Sequence, residues 1–194
     1  MPAGKVESMT ADQLLSVDIP GKWTELVRGT LVVREPPGTH HGRISASLVW
    51  MMESFVRQHR LGATYAQDTG FKIFTDPDTV RAPDAAFVAR DRLSSIPETG
   101  YAALAPDLVA EVVSPDDRRG ELLAKVGDWL DAGVRLVWVI DPGRKEVHVH
   151  RPDGSISIVG VGDVVDGEDT LPGFHFTVSE LLERSADEAI AEQK

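Results

Sequence analysis

The run Leu108-Val109-Ala110-Glu111-Val112-Val113 is apolar on both alternating faces except for one carboxylate. A strand with no polar face belongs in the middle of a sheet that is covered on both sides. Ser114-Pro115-Asp116-Asp117 follows as a helix-start signal. Leu122, Val126, Trp129 and Leu130 then recur on one helical face, and the pattern stops near Gly133. Residues 135–140 form a second compact apolar run. Residues 107–140 therefore predict strand–helix–strand, a parallel pair joined by a right-handed crossover. The fold class expected is α/β (α+β), a mixed central β-sheet flanked by helices.

The rest of the chain supplies further strands and one long helix. Thr10 caps a short helix over 11–15. Residues 23–33 read as two short strands around Arg28-Gly29. Ile44, Leu48, Met51, Met52 and Phe55 give residues 41–60 the inward stripe of an amphipathic helix, with Gly62 as its C-cap. Residues 65–74 and 80–89 read as strands around a turn at Asp76-Pro77-Asp78, and 91–106 as a loop. A hairpin is expected from 145–151 and 155–159 around Asp153-Gly154, then a last helix over 179–183. The expected organisation is one domain over 1–184 and a polar tail over 185–194.

Composition removes several function classes. The chain of 194 residues has no cysteine, so disulfides and thiolate metal sites are excluded. No apolar run approaches the ~20 residues of a membrane helix, and Met1 to Thr10 lacks the apolar stretch of a secretory signal. A cytoplasmic location is expected. The net charge of −11 opposes non-specific coating of nucleic acid, because phosphates dominate such binding. There is no glycine-rich phosphate loop, no serine in a nucleophile elbow and no zinc-protease histidine spacing. His148 and His150 alternate on a hairpin strand and are expected to face solvent.

The chemistry lies in acids placed where apolar residues would be cheaper. Asp84 shares a strand face with Ala82, Ala86 and Val88; Glu111 shares one with Val109 and Val113. A carboxylate so placed loses several kcal/mol of hydration unless a cation, a hydrogen-bond network or a metal ion meets it. Lys125 borders the apolar stripe of the following helix. Glu111 lies roughly 10 Å from its strand's carboxyl end at ~3.3 Å per residue. Lys125 lies about 12 Å into the helix, counted from Asp117 at ~1.5 Å per residue. A helix returning over that strand brings the two level. Two readings fit: a structural Glu–Lys pair, or a hard-cation site in which Asp84 and Glu111 hold Mg²⁺ or Mn²⁺. Glu25, flanked by apolar residues, is either a third carboxylate or an edge-strand surface residue. His41 stands at the start of the long helix, as a cap or facing a phosphate or water, and Gln67 is a weaker candidate for the same cavity.

These residues also carry a resemblance. Trp23-Thr24-Glu25-Leu26-Val27-Arg28-Gly29, His40-His41-Gly42-Arg43-Ile44, Val80-Arg81-Ala82-Pro83-Asp84, Ala105 to Pro115, Lys125, and Leu136 to Pro142 together resemble the Uma-two family of restriction-endonuclease-like proteins, within the PD-(D/E)xK nuclease superfamily. The resemblance spans about Met9 to Glu183. It implies a divalent-metal site and hydrolysis of phosphodiester bonds. Asp84 matches the Asp of the PD element, Glu111 the acid of the (D/E)xK element, Glu25 the early acid and His41 the family histidine. The position two after Glu111 is Val113 rather than lysine, and Lys125 occupies the place from which this family draws its lysine. The function implied is a Mg²⁺- or Mn²⁺-dependent endonuclease acting on DNA, with a homodimer suited to duplex cleavage. The alternatives are a non-catalytic binding or assembly protein on the same scaffold, or a phosphodiesterase acting on RNA or a small nucleotide.

Overall fold

The computed structural model describes residues 8–115 and 117–183, so the expected tail at 185–194 lies outside the described residues. The chain runs α1 (Ala11–Leu14), β1 (Trp23–Val27), β2 (Thr30–Arg34), α2 (Thr39–His59), β3 (Gly62–Ala66), β4 (Phe71–Phe74), β5 (Thr79–Arg81) and β6 (Ala85–Ala89). After a 3-10 turn at Arg90–Ser95 come β7 (Leu108–Val112), α3 (Arg119–Asp131), β8 (Leu136–Asp141), β9 (Glu146–His150) and β10 (Ile156–Val159). The last elements are β11 (Val164–Asp166), β12 (His175–Thr177) and α4 (Val178–Leu182). Among the described residues no helix is long and apolar enough to cross a membrane.

Six strands form the central mixed sheet, in the order β10-β9-β8-β7-β6-β3. The pair β7 and β8 is parallel, registered from Leu108 opposite Leu136 to Val112 opposite Ile140, as the strand–helix–strand pattern predicted. The other neighbours in this sheet are antiparallel. Period-two alternation sends Leu108, Ala110 and Val112 to the layer of α2, where Ile44, Leu48, Met52 and Val56 pack. It sends Val109 to the layer of α3, where Val126 and Trp129 pack. Glu111 has the parity of Val109 and therefore faces α3.

A second sheet has the order β2-β1-β5-β4. Its β1–β2 hairpin turns on Arg28 and Gly29, both at positive φ (47° and 73°), the geometry of the two-residue turns that match strand twist. Strand β1 pairs with β5 as well as β2, so Glu25 is not on an edge strand.

Several boundaries differ from the sequence expectation. Residues 80–89 are two strands in different sheets, not one. Pro83 lacks an N–H for the ladder and restricts Ala82 before it, so the chain breaks there and Asp84 stands in the bend before β6. Residues 65–74 likewise divide between β3 and β4 at a turn ending in Gly70. Gly62 is not the C-cap of α2. Arg60 takes the left-handed conformation there (φ 56°), while Gly62 opens β3, where an added Cβ would stand 2.0 Å from the Val88 carbonyl oxygen. Helix α3 starts at Arg119, later than the Ser114–Asp117 signal; Asp117 instead accepts from the Ser114 amide at 2.7 Å, closing a turn. The β11–β12 hairpin has no clear periodicity over strands this short and went unanticipated. His150, expected in solvent, is buried; His148 is half-buried against Glu146 at 2.8 Å.

Candidate active site

The break at Pro83 is what opens the site. Strand β6 pairs Ala85 with Ala110 at its start, and just beyond that pair Asp84 donates its backbone N–H to the Ala110 carbonyl at 3.1 Å. Its carboxylate turns back, and Oδ2 accepts from the Val112 amide at 2.7 Å. The first turn of α2 brings His41 Nε2 to 3.2 Å from the same oxygen. Ser45 Oγ, one turn on, lies 3.4 Å from His41 Nδ1 and steadies the ring.

Glu111 faces α3 and meets two donors from that helix. Trp129 Nε1 donates to Oε1 at 2.8 Å, and Lys125 Nζ donates to Oε2 at 2.9 Å. Lys125 also donates to the Ala82 carbonyl at 2.9 Å and lies 3.2 Å from Glu25 Oε1. Its three N–H bonds thus have three acceptors, which accounts for an ammonium group that is almost fully buried. Glu25 completes the set from β1. It accepts from the Ala82 amide and from Arg81, each at 3.0 Å, and Arg81 reaches across to Asp128 of α3 at 2.6 Å.

The sequence-predicted residues Glu25, His41, Asp84, Glu111 and Lys125 therefore line one cavity of about 640 Å³. Gln67 does not; its neighbour Asp68 does, and Gln67 lines an adjacent groove that also includes Asp84. Two residues that shape the site were absent from the candidates. Trp129 reads as plain core in a helical pattern. Arg81 is a charge inside an apolar strand, the same signal that singles out Glu111, and could have been found by it.

The electrostatics divide the acids into two kinds. Burial works to raise the pKa of Glu25, but Lys125, Arg81, the Ala82 amide and Arg34 outweigh it and hold the pKa near 2. Glu111 is pushed up to about 7, first by burial and then by the charges of Asp84 and Glu25, with Lys125 opposing. Burial works to lower the pKa of Lys125, but the charges of Glu111, Glu25 and Asp84 outweigh it and keep the ammonium charged. Burial also works against the charged form of His41, yet Asp84, the Val112 carbonyl and Asp117 raise its pKa above the ordinary 6.5. Asp68 is raised by burial and then by Asp84. Lys125 is shared between Glu25 and Glu111, and among the described residues the only ion-pair partner of Asp84 is the His41 ring, so Asp84 and Glu111 together have one fixed cation in contact, which Glu25 shares.

The donor set suits a hard divalent cation. It consists of carboxylate oxygens, and Asp84 Oδ1 has no hydrogen-bond partner among the described residues. Among the described residues no group of three His, Asp or Glu side chains stands ready to enclose a metal. A cation held by Asp84 and Glu111 would keep water for its remaining positions, as Mg²⁺ does.

The family profile of Uma2, described as "Putative restriction endonuclease", matches residues 11–179. The chain belongs to the Uma2 family. Among solved structures it is similar to the crystal structure of a putative nuclease belonging to DUF820 from Anabaena variabilis, with a TM-score of 0.76 and 22% identity over 90% of this chain and 97% of that one. At that identity the likeness establishes the fold. No curated protein matches the chain. The matched span contains every residue that lines the cavity, from Lys22 to Lys125.

Proposed function

We propose that this Uma2 protein is a divalent-metal-dependent endonuclease that hydrolyses phosphodiester bonds of DNA, with Asp84 and Glu111 as metal ligands. The observation that carries the reading is the convergence of Glu25, Asp84 and Glu111 on one cavity, with Lys125 shared between Glu25 and Glu111. Burial first, and then the charges of Asp84 and Glu25, raise the pKa of Glu111 although Lys125 is in contact, and a cation between Asp84 and Glu111 would offset both. The pocket as a whole has seven carboxylate residues against three fixed cations, so a phosphodiester enters only with bound positive charge.

The reaction joins a water oxygen to phosphorus as the bond from phosphorus to one ester oxygen breaks; the water gives up a proton to solvent and the leaving oxygen takes one. Trp129 and Lys125 fix the two oxygens of Glu111, and the Val112 amide fixes one oxygen of Asp84, so both carboxylates are oriented before substrate arrives. Divalent metal, when bound, supplies the Lewis acidity that offsets charge building on the phosphoryl group. His41, whose Nε2 lies 3.2 Å from Asp84 Oδ2, would be the group that gives a proton to the leaving oxygen. Lys125 keeps Glu111 in place and adds positive charge beneath the reacting group.

Plasmid cleavage in Mg²⁺ or Mn²⁺ tests this. Asp84→Asn and Glu111→Gln each abolish cleavage while circular dichroism stays native; undiminished cleavage by both variants sinks the proposal. One observation favours a non-catalytic scaffold: both oxygens of Glu111 already have protein donors. Metal that binds only the folded state must stabilise it. A melting temperature unmoved by millimolar Mn²⁺ therefore supports the scaffold reading, and a rise that Glu111→Gln removes supports the nuclease.

A further inference from the structure

Helix α2 turns Ile44, Leu48, Met52 and Val56 into the core, yet it carries Trp50 at 70% exposure on another face. Trp129 and Trp138, by contrast, are fully buried. Among the described residues the Trp50 side chain has no aromatic or hydrogen-bonded partner and is not part of the core that α2 covers. It borders a groove of about 560 Å³ between α2 and the end of β3, whose lining includes Ala46 and Val49. That volume falls in the range of small-molecule sites, about 300–1,000 Å³. Gln67 forms part of the wall, and its Oε1 is buried with no hydrogen-bond partner among the described residues. A buried amide oxygen so placed gains a bond by turning toward a donor that enters the groove. Arg57 stands farther along α2, 79% exposed and only 3.7 Å from Glu53.

The groove also reaches Asp84, which lines the acid cavity. A ligand that fits has three properties. It is flat and apolar on its face, to stack on the indole. It carries donors at its edge, to meet the Gln67 amide. It is tethered to a group that lies at Asp84.

We propose that this groove takes an unstacked nucleobase of the strand whose phosphodiester lies in the acid cavity, with Trp50 as its stacking surface. The inference rests on the nuclease reading for the identity of the strand. Base–aromatic stacking tolerates any sequence, because every base has a π-face. Trp50 then contributes affinity for a locally single-stranded or distorted substrate, and Gln67 favours bases with an exocyclic amino group. Arg57 is placed to meet a phosphate farther along the strand. Reading a base beside the scissile phosphate gives the enzyme a preference for nicked, looped or mismatched DNA over regular duplex, where unstacking must be supplied from binding.

The test is fluorescence anisotropy of a labelled single-stranded oligodeoxynucleotide of about 12 residues, with Ca²⁺ in place of Mn²⁺. An oligonucleotide of the same length with abasic sites throughout serves as the second probe. Trp50→Ala is expected to weaken binding of the base-bearing strand about tenfold, while Trp50→Phe stays within about threefold of wild type. The abasic strand binds wild type and Trp50→Ala alike. Since Trp50 is exposed, neither variant disturbs the core. Equal affinity of wild type and Trp50→Ala for the base-bearing strand overturns the inference, as does equal affinity of wild type for the two strands. So does a wild-type dimer that Trp50→Ala converts to monomer with DNA affinity unchanged, which assigns the groove to a second copy of the chain. Cleavage in Mn²⁺ is scored separately. Trp50-dependent binding without cleavage under any metal leaves the base site standing and removes the nuclease reading; cleavage with Trp50-independent binding does the reverse.

Discussion

In metal-free buffer, Glu111 should make the wild-type fold lose stability as pH rises from 4.5 to 7, and Glu111→Gln should not. Its pKa is 4.5 in an unfolded chain and about 7 in the fold. A raised folded-state pKa means the native protein binds more protons than the unfolded one in that window. The contribution is therefore fully present below pH 4.5 and is lost as pH rises through 7. At about 1.4 kcal/mol per pH unit, the gap corresponds to about 3 kcal/mol. For a chain of this size that is about 6–12 °C in melting temperature. Glutamine keeps the shape and the acceptor for Trp129 Nε1, and it does not titrate. It also sets an amide against the Lys125 ammonium, which adds a penalty independent of pH. The quantity to measure is thus the difference in unfolding free energy between wild type and variant, by urea titration in EDTA at half-unit steps from pH 4.5 to 8. It should drift by about 3 kcal/mol toward the variant and level off above pH 7. A difference constant across the range refutes the view that burial, with the charges of Asp84 and Glu25, disfavours an ionised Glu111. Millimolar Mn²⁺ at pH 7 should restore most of the lost stability to wild type and none to the variant.

Three further outcomes follow from other contacts in the fold. Arg81→Met leaves Glu25 and Asp128 buried without their shared guanidinium, and urea unfolding at pH 7 should show a loss of about 3–5 kcal/mol. His41→Gln in EDTA should destabilise by about 1–2 kcal/mol at pH 6 and by progressively less toward pH 9. The contribution of the His41 charge, raised by Asp84, is present below 6.5 and lost as pH rises through the folded pKa. A cost that grows with pH contradicts the His41–Asp84 ion pair. Gly62→Ala must push β3 away from β6, because its Cβ would meet the Val88 carbonyl oxygen at 2.0 Å; a cost of about 1–3 kcal/mol is expected by thermal melting.

The sequence by itself determined the strand–helix–strand unit and brought Lys125 level with Glu111. Both follow from short-range rules: alternation chooses the face of each strand residue, and the rise per residue sets how far along the helix the lysine lies. Asp84 and Glu111 were legible because a carboxylate in an apolar strand is costly without a partner.

What only the tertiary structure decided is where separate strands meet. Residues 80–89 carry one continuous pattern, yet Pro83 hands the chain from one sheet to the other. Pattern alone does not choose a sheet, because the ladder partners lie far away in sequence. The same is true of Glu25. Its burial depends on β5 closing over β1 and on Arg81 arriving beside it, neither of which is local to residues 23–27. Trp129 illustrates the physical reason most simply: its periodicity says only that it faces inward, and whether its indole N–H finds a carboxylate there depends on the strand it covers.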